Sequence, residues 1–427
     1  MIELNGHDLT IEELWHVAVR RGTAQLSAKA RIGMQKSRAL VEELAQEPRA
    51  IYGINTGFGP LSGMRVSNED QQAHQVNLLH HLSVGQGPLF SESETRAIML
   101  VRSNALARGF SGIREEVVDL LLSCLNQEVL PEIPSQGSVG ASGDLVPLAH
   151  MSRLLVGLGH AKTGEKRVLA AEALRKHGLS PATLQCKEGL ALVNGTSVMT
   201  GLAALAAQEA RTILNWMELL SSCSFQVMYG EPEVLCGQLH HARGFRGQSL
   251  VAERMAEYLC THEGYREQIE GHLWGSQPKP VEPGVEIQDP YTIRCAPQIL
   301  GAFQEALWHV QHVVTVEMNA STDNPLVFPE TSSVIHGGNF YGQQISMTSD
   351  YLRMGLIKLA LYCERQIDRL TNWRYSMGLP PLLAGGAPGL NSGMAGCQRL
   401  RSLRNAAFWA RRLPSRRFPP MATIRTS

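Results

Sequence analysis

The eight cysteines of this 427-residue chain (Cys124, Cys186, Cys223, Cys236, Cys260, Cys295, Cys363 and Cys397) include no Cys-x-x-Cys pair. That excludes a disulfide scaffold or thiolate metal cluster and leaves buried, reduced thiols as the expectation. There is no run of about 18 apolar residues, hence no transmembrane helix and no membrane role. The opening Met-Ile-Glu-Leu-Asn-Gly-His-Asp has neither a basic nor an apolar segment, so no secretory signal is read and a soluble, cytoplasmic protein is expected. Net charge is absent too, with 39 basic against 39 acidic side chains. That balance hides a division. The last thirty residues hold eight Arg and no Asp, Glu or Lys, so the remainder carries an excess of eight acidic groups, which argues against a nucleic-acid partner. Alternating β-branched runs are almost missing, which argues against a sheet-based fold.

What is present is apolar spacing of helical period nearly throughout, so the chain is expected to be all-α. Thr10 with Glu13 and Ser91 with Glu94 have the spacing of capping boxes, and Ser67 with Asp70 is a weaker version. Uninterrupted patterns from Asn194 to about Met228 and from Gln343 to about Met377 predict two helices of roughly 35 residues, about 50 Å each. Closely spaced alanines in the first (Ala203, Ala204, Ala206, Ala207, Ala210) suit a packed bundle, often one shared between subunits. The expected organisation is an N-terminal, mainly helical domain over 1–195, a long central helical bundle over 196–397, and an Arg-rich tail over 398–427. His309 and His312 stand three apart on a helical stretch but lack a third ligand, so no metal site is expected. His240 and His241 are uninformative in the same way.

Two stretches are too rich in glycine to be helical: Tyr52-Gly-Ile-Asn-Thr-Gly-Phe-Gly59 and Gly137-Ser-Val-Gly-Ala-Ser-Gly-Asp144. Such segments are expected of functional loops. The second lacks the Lys-Ser/Thr pair of a phosphate-cradling loop and the preceding strand of a dinucleotide fingerprint. Read alone, it is a tight turn into a helix with Asp144 or Ser142 as N-cap and Pro147 in the first turn.

The full string from Gly137 to His150, Gly-Ser-Val-Gly-Ala-Ser-Gly-Asp-Leu-Val-Pro-Leu-Ala-His, resembles the signature of the histidine, phenylalanine and tyrosine ammonia-lyases. The resemblance extends over residues 1 to about 397. It implies that Ala141, Ser142 and Gly143 cyclise into 4-methylidene-imidazol-5-one, which makes the N-terminal domain the bearer of a self-made electrophile. The residue types fit that chemistry, because the Gly143 nitrogen must reach the Ala141 carbonyl and Ser142 must lose its hydroxyl as water. A helix beginning at Asp144 would aim its N-terminal dipole at the ring.

By the same resemblance Tyr52 is the base that removes the β-proton. A phenol ordinarily ionises only near pH 10, so such a base needs surroundings that favour its anion. Arg294, in Gln288-Asp-Pro-Tyr-Thr-Ile-Arg-Cys295, pairs with the substrate carboxylate. Gln288 and Tyr291 come with it as hydrogen-bonding and proton-handling partners. Asn194 lies near the carboxylate and the electrophile, and Asn339 and Phe340 belong to a pocket segment close to the ring. The resemblance further implies a homotetramer whose subunits contribute different loops to each site.

The family reads the aryl group with a dipeptide that follows Asn-Leu. In Asn77-Leu-Leu-His-His-Leu-Ser83 that position holds His81-Leu82, the pattern of tyrosine enzymes; Ser-His marks histidine enzymes and Phe-Leu phenylalanine enzymes. A one-residue slip to His80 would read His-His. An imidazole can hydrogen-bond a 4-hydroxyl, and a site built to pair a polar group rejects substrates lacking it. Leu145 is a candidate wall of the aryl pocket. The expectation is therefore a lyase that converts L-tyrosine to 4-coumarate and ammonia. Histidine and phenylalanine are neighbouring substrate choices, a tyrosine 2,3-aminomutase is a sister activity, and an inactive scaffold is the non-enzymatic alternative.

After Gly389-Leu-Asn-Ser-Gly393 the family continues through a polar string containing Asn-Gly-Asp-Asn-Gln-Asp-Val, whereas this chain turns to Arg399-Leu-Arg-Ser-Leu-Arg404 and ends Phe418-Pro-Pro-Met-Ala-Thr-Ile-Arg-Thr-Ser427. Codons compatible with that ending spell the family string in a shifted frame, so a frameshift near residue 397 is expected. Such a chain would lack the family's Gln or Glu from the string and part of the tetramer-forming bundle.

Overall fold

The computed structural model describes residues 1–67, 69–260 and 288–383; the expectations for the tail after 397 lie outside them. The described chain is predominantly helical, as expected, with strands only three or four residues long. Its described residues form two compact units: Met1–Gln208 with Gln311–Ser349, and Glu209–Val310 with 350–383.

In the first unit β1 (Ile2–Leu4) pairs in parallel with β2 (Ala24–Leu26). Helices α1 (Ile11–Val19), α2 (Ala28–Ala45), α3 (Gln71–Leu82), α4 (Glu92–Ala107) and α5 (Glu115–Asn126) follow the apolar periodicity. Both full capping boxes form. The Thr10 hydroxyl accepts from the Glu13 amide at 3.2 Å while the Glu13 carboxylate accepts from the Thr10 amide at 2.9 Å, and Ser91 with Glu94 repeats the arrangement. Thr10→Ala should cost about 1 kcal/mol. Amide hydrogen exchange across Ile11–Val19 would then speed up about fivefold, and unchanged protection would count against the cap. The Ser67–Asp70 pair also forms, at 3.2 Å, but in the turn ahead of α3. Asp70 caps that helix without a side-chain bond.

The centre of this unit is α4, buried without a break from Thr95 to Ala107, and packed on α1, α2 and α5. Its Arg96 satisfies the carbonyls of Val17, Gly22 and Leu125 at 2.8–3.0 Å, tying the ends of α1 and α5 together. A second buried pair joins Lys187 Nζ to Asp323 at 3.0 Å and to the Ser111 carbonyl at 2.8 Å. Further along, β4 (Val129–Pro131) leads a three-stranded antiparallel sheet with β6 (His160–Thr163) and β7 (Lys166–Leu169). The ribbon of β3 (Gln86–Leu89) and β5 (Pro134–Gln136) precedes α6 (Leu145–Leu155). Then come α7 (Ala170–Lys176), α8 (Glu188–Val193) and α9 (Ser197–Val227), and later the hairpin of β8 (Leu326–Phe328) with β9 (Ser333–Ile335).

The second unit holds α10 (Gly237–Arg243), α11 (Arg246–Leu259) and the short α12 (Tyr291–Arg294). The long helices α13 (Ala296–Met318) and α14 (Gln343–Thr371) pass between the residue sets of the two units, as α9 does. Helices α9 and α14 have 31 and 29 residues, shorter than the roughly 35 expected. The N-terminal loss has a local cause: Asn194 is extended at φ −92°, ψ 114°, and Gly195 has φ +151°, so the chain turns before the helix starts. Gly301 lets α13 meet α11, since a Cβ there would lie 2.4 Å from the Gln248 Cα.

All seven described cysteines are free, but only Cys124 and Cys186 are buried, which corrects the expectation of buried thiols throughout. His309 and His312 are exposed, and the His309 ring meets Tyr351 edge-on at 5.7 Å. His240 is buried and bonded to the Val234 carbonyl and to Gln248. Among the described residues no cluster could hold a metal, and no helix is long and apolar enough to cross a membrane.

Candidate active site

Between β5 and α6 the chain runs through Gly137, Gly140 and Gly143 with φ of +144°, +69° and +69°, values that β-carbons resist. Gly143 forms isolated bridges to both Gly140 and Ala141, so the backbone doubles back across Ser142. A Cβ on Gly143 would lie 2.3 Å from the Gly195 carbonyl oxygen and 2.6 Å from its carbon. Only glycine fits there. This folding-back of residue 143 onto residue 141 is what a ring closing between them requires.

Asn194 ends α8 and reaches into the loop. Its Nδ2 donates to the Ser142 carbonyl at 3.0 Å and to the Ser142 hydroxyl at 3.2 Å, so one amide holds both oxygens of Ser142. The Asp144 amide donates to the Gly195 carbonyl at 2.7 Å. Its carboxylate does not cap α6, as a sequence reading of an N-cap suggests; it accepts from Val198 and Met199 at 3.0 and 2.9 Å and from Ser138 at 2.9 Å. Asp144 thereby caps α9 across 54 residues and fastens the loop to that helix. Burial raises its carboxyl to about 6, against the opposing pull of those donors and of Arg102.

Behind this clamp lies Arg102, 1% exposed. It donates to the carbonyls of Ala191 and Asn194, the latter at 2.9 Å, and to the Ser197 hydroxyl at 3.5 Å. Burial lowers its guanidinium to about 10, with Asp323 and Asp144 pulling the other way. Thr196 donates at 2.5 Å to Glu317, whose carboxyl burial pushes up. Sequence reasoning missed both. Arg102 carried a usable signal, a lone charge inside the apolar run Ala97-Ile-Met-Leu-Val-Arg-Ser-Asn-Ala-Leu-Ala107; Glu317 carried none.

Other predicted residues of this unit approach by way of their elements. His81 is exposed and Leu82 half-buried at the end of α3, which packs on α6 and α8. Just beyond, the Gly85 amide donates to His150 Nε2 at 3.1 Å. β3 then pairs with β5, the strand that enters the Ala-Ser-Gly loop. Leu145 is half-buried as the first residue of α6. Asn339 is exposed and bonds to the Ser321 carbonyl at 3.3 Å, and Phe340 is half-buried. Their segment reaches the loop where Gly342 donates to the Gly140 carbonyl at 3.5 Å. Tyr52 is half-buried, its Oη accepting from the Gly59 amide at 3.5 Å and its ring meeting His336 at 6.0 Å. Its loop is tied to α3 by Phe58 stacked on His74 at 4.4 Å. Among the described residues no hydrogen bond joins Tyr52 or His81 to Ser142. Gln288, Tyr291 and Arg294 belong to the second unit, where Gln288 is exposed, Tyr291 is 71% exposed, and the Arg294 guanidinium stands 4.6 Å over the Tyr291 ring.

Asn194→Ala should remove both hydrogen bonds to Ser142 and lower turnover about a hundredfold, the usual consequence of losing a placed donor. Steady-state kinetics within threefold of the unaltered chain would count against that placement.

A family model described as aromatic amino acid lyase matches residues 9–407. Histidine ammonia-lyase of Geobacillus thermodenitrificans (strain NG80-2) is 41% identical over 398 residues, covering 92% of this chain and 75% of that protein. The histidine ammonia-lyase of Bacillus subtilis (strain 168) is 40% identical over 393 residues, with 92% and 74% covered. Among solved structures, a tyrosine aminomutase from Streptomyces globisporus matches with a TM-score of 0.87 at 34% identity, over 96% of this chain and 78% of that one. Histidine ammonia-lyase from Trypanosoma cruzi matches with a TM-score of 0.83 at 33% identity, over 96% and 74%.

Proposed function

The chain belongs to the aromatic amino acid lyase family, and from that premise we propose that this carbon–nitrogen lyase eliminates ammonia from L-tyrosine to give 4-coumarate. The observation that carries the substrate choice is His81-Leu82 at the end of α3, on the segment whose strand pairs with the one entering the Ala-Ser-Gly loop. An imidazole at that place can accept or donate a hydrogen bond to a 4-hydroxyl.

The loop's geometry supports 4-methylidene-imidazol-5-one formed from Ala141, Ser142 and Gly143. A bond forms from the Gly143 nitrogen to the Ala141 carbonyl carbon with loss of one water, and Ser142 loses its hydroxyl with its α-hydrogen as a second. Asn194, bonded to both Ser142 oxygens, orients the departing hydroxyl. When formed, the group supplies an electrophile that makes the substrate amine a better leaving group. The N-terminus of α6 turns positive dipole ends toward the loop. Tyr52 takes the β-proton as base, and the Arg294 fork, with Gln288 and Tyr291 beside it in sequence, holds the substrate carboxylate. Leu82, Leu145 and Phe340 are assigned to the aryl pocket, and Asn339 to its polar edge. We assign the working form as a homotetramer in which different subunits supply these groups, which light scattering on the purified protein tests directly.

L-Histidine is the second reading, favoured by relatives named histidine ammonia-lyase at 38–42% identity. The deciding experiment follows near-UV absorbance with L-tyrosine, L-phenylalanine and L-histidine in parallel, since each conjugated product absorbs where its parent does not. Fastest growth with tyrosine is the expected result; fastest growth with histidine replaces the reading. Chromatography for a β-amino acid separates lyase from aminomutase.

A further inference from the structure

At the end of α6 remote from the loop, a cavity of about 500 Å³ opens beside Arg153. Arg153 has no carboxylate partner among the described residues, and its Nε is buried without a hydrogen bond. The one carboxylate lining the cavity, Glu132, is already engaged by Arg167 at 2.6 and 3.1 Å. His150 accepts from the Gly85 amide, and burial together with Arg153 holds its imidazole below the usual range, on the neutral side. The rest of the lining is His160, Pro134, Gly159 and three leucines, Leu158 with the exposed Leu89 and Leu169 at the rim. Gly159, at φ +79°, keeps the guanidinium face clear, since a Cβ there would sit 3.6 Å from the Arg153 Cζ.

An uncompensated planar fork beside three leucines, in a volume typical of small-molecule sites, is the complement of a carboxylate on a flat apolar body. We propose that this cavity is a second binding site for a small aromatic carboxylate, its carboxylate on Arg153 and its ring against the three leucines. The ligand would also touch Pro134, which pairs with Leu89 in the ribbon carrying the α3 end and the Ala-Ser-Gly loop. The choice of ligand class rests on the lyase reading, whose product is an arylacrylate; the binding measurement needs no turnover.

Equilibrium dialysis of the whole protein with radiolabelled trans-cinnamate should give two molecules per chain. Arg153→Met should lose one of them, and Leu169→Glu, an exposed rim change, should weaken the same one at least tenfold. Both variants should keep basal turnover within twofold. One molecule per chain, lost in both variants, still upholds the cavity and counts instead against the active-site reading. Equal binding by all three proteins overturns the proposal, as does displacement of the second molecule by inorganic phosphate as readily as by cinnamate.

Discussion

Ser142→Ala is expected to reduce turnover of any aromatic amino acid at least about 1000-fold, because in the proposed reaction the electrophile is built from Ser142. The measurement that isolates the cause is intact mass. The unaltered chain should be lighter than its translated sequence by two water molecules, and Ser142→Ala should never show that deficit. Gly143→Ala should fail in the same way for a different reason: at φ +69° its Cβ would press on the Gly195 carbonyl from 2.3 Å, so either the loop opens or residue 143 leaves its place over residue 141. That strain is worth at least about 2 kcal/mol. An unaltered chain at full translated mass that nonetheless turns over substrate would sink the assignment of the loop. A chain with the deficit but no turnover would leave the loop intact and turn attention to Tyr52 and Arg294.

Helical period and capping boxes made the all-α class legible, because each box satisfies orphan amides with residues three apart and needs no tertiary partner. The short strands were illegible. β3 is four residues, all exposed, with Gly87 and Pro88 inside it, and no alternation can be read from so little. Yet this ribbon connects the His81-Leu82 segment to the Ala-Ser-Gly loop. Within the candidate site, the Ala-Ser-Gly tripeptide and Asn194 are read from motif resemblance. Their support was hidden because it is long-range. Asp144 looked like the cap of its own helix, and nothing local reveals that its carboxylate crosses to Val198 and Met199. The extended turn at Asn194–Gly195 was overrun by an apparently continuous helical pattern, since both residues sit between strongly apolar runs. Gly195 was the available breaker signal: a Cβ there would lie 2.3 Å from the Arg102 guanidinium.

That close approach makes Arg102 the most consequential residue outside the loop. Arg102→Leu would leave the carbonyls of Ala191 and Asn194 buried without their donor and Asp144 without the positive charge that draws its carboxyl down. Removing one partner from such a buried set costs about 3–5 kcal/mol, which should lower the thermal midpoint by about 10 °C. The loss should also depend on pH, and the sign follows from Asp144. Its carboxyl is raised to about 6 in the folded chain against an ordinary 3.8, so folding favours the protonated form. The contribution of Asp144 to stability is therefore fully present below about pH 4 and declines as pH rises through 6, by up to about 3 kcal/mol. Without Arg102 the ionised form loses an attraction and the carboxyl rises further. The midpoint difference between Arg102→Leu and the unaltered chain should accordingly be larger at pH 8 than at pH 5, while the part due to the two orphaned carbonyls stays constant. A difference that is equal at both values would mean that Arg102 acts only through the carbonyls, holding Asn194 in place without steadying the Asp144 charge that fastens the loop to α9.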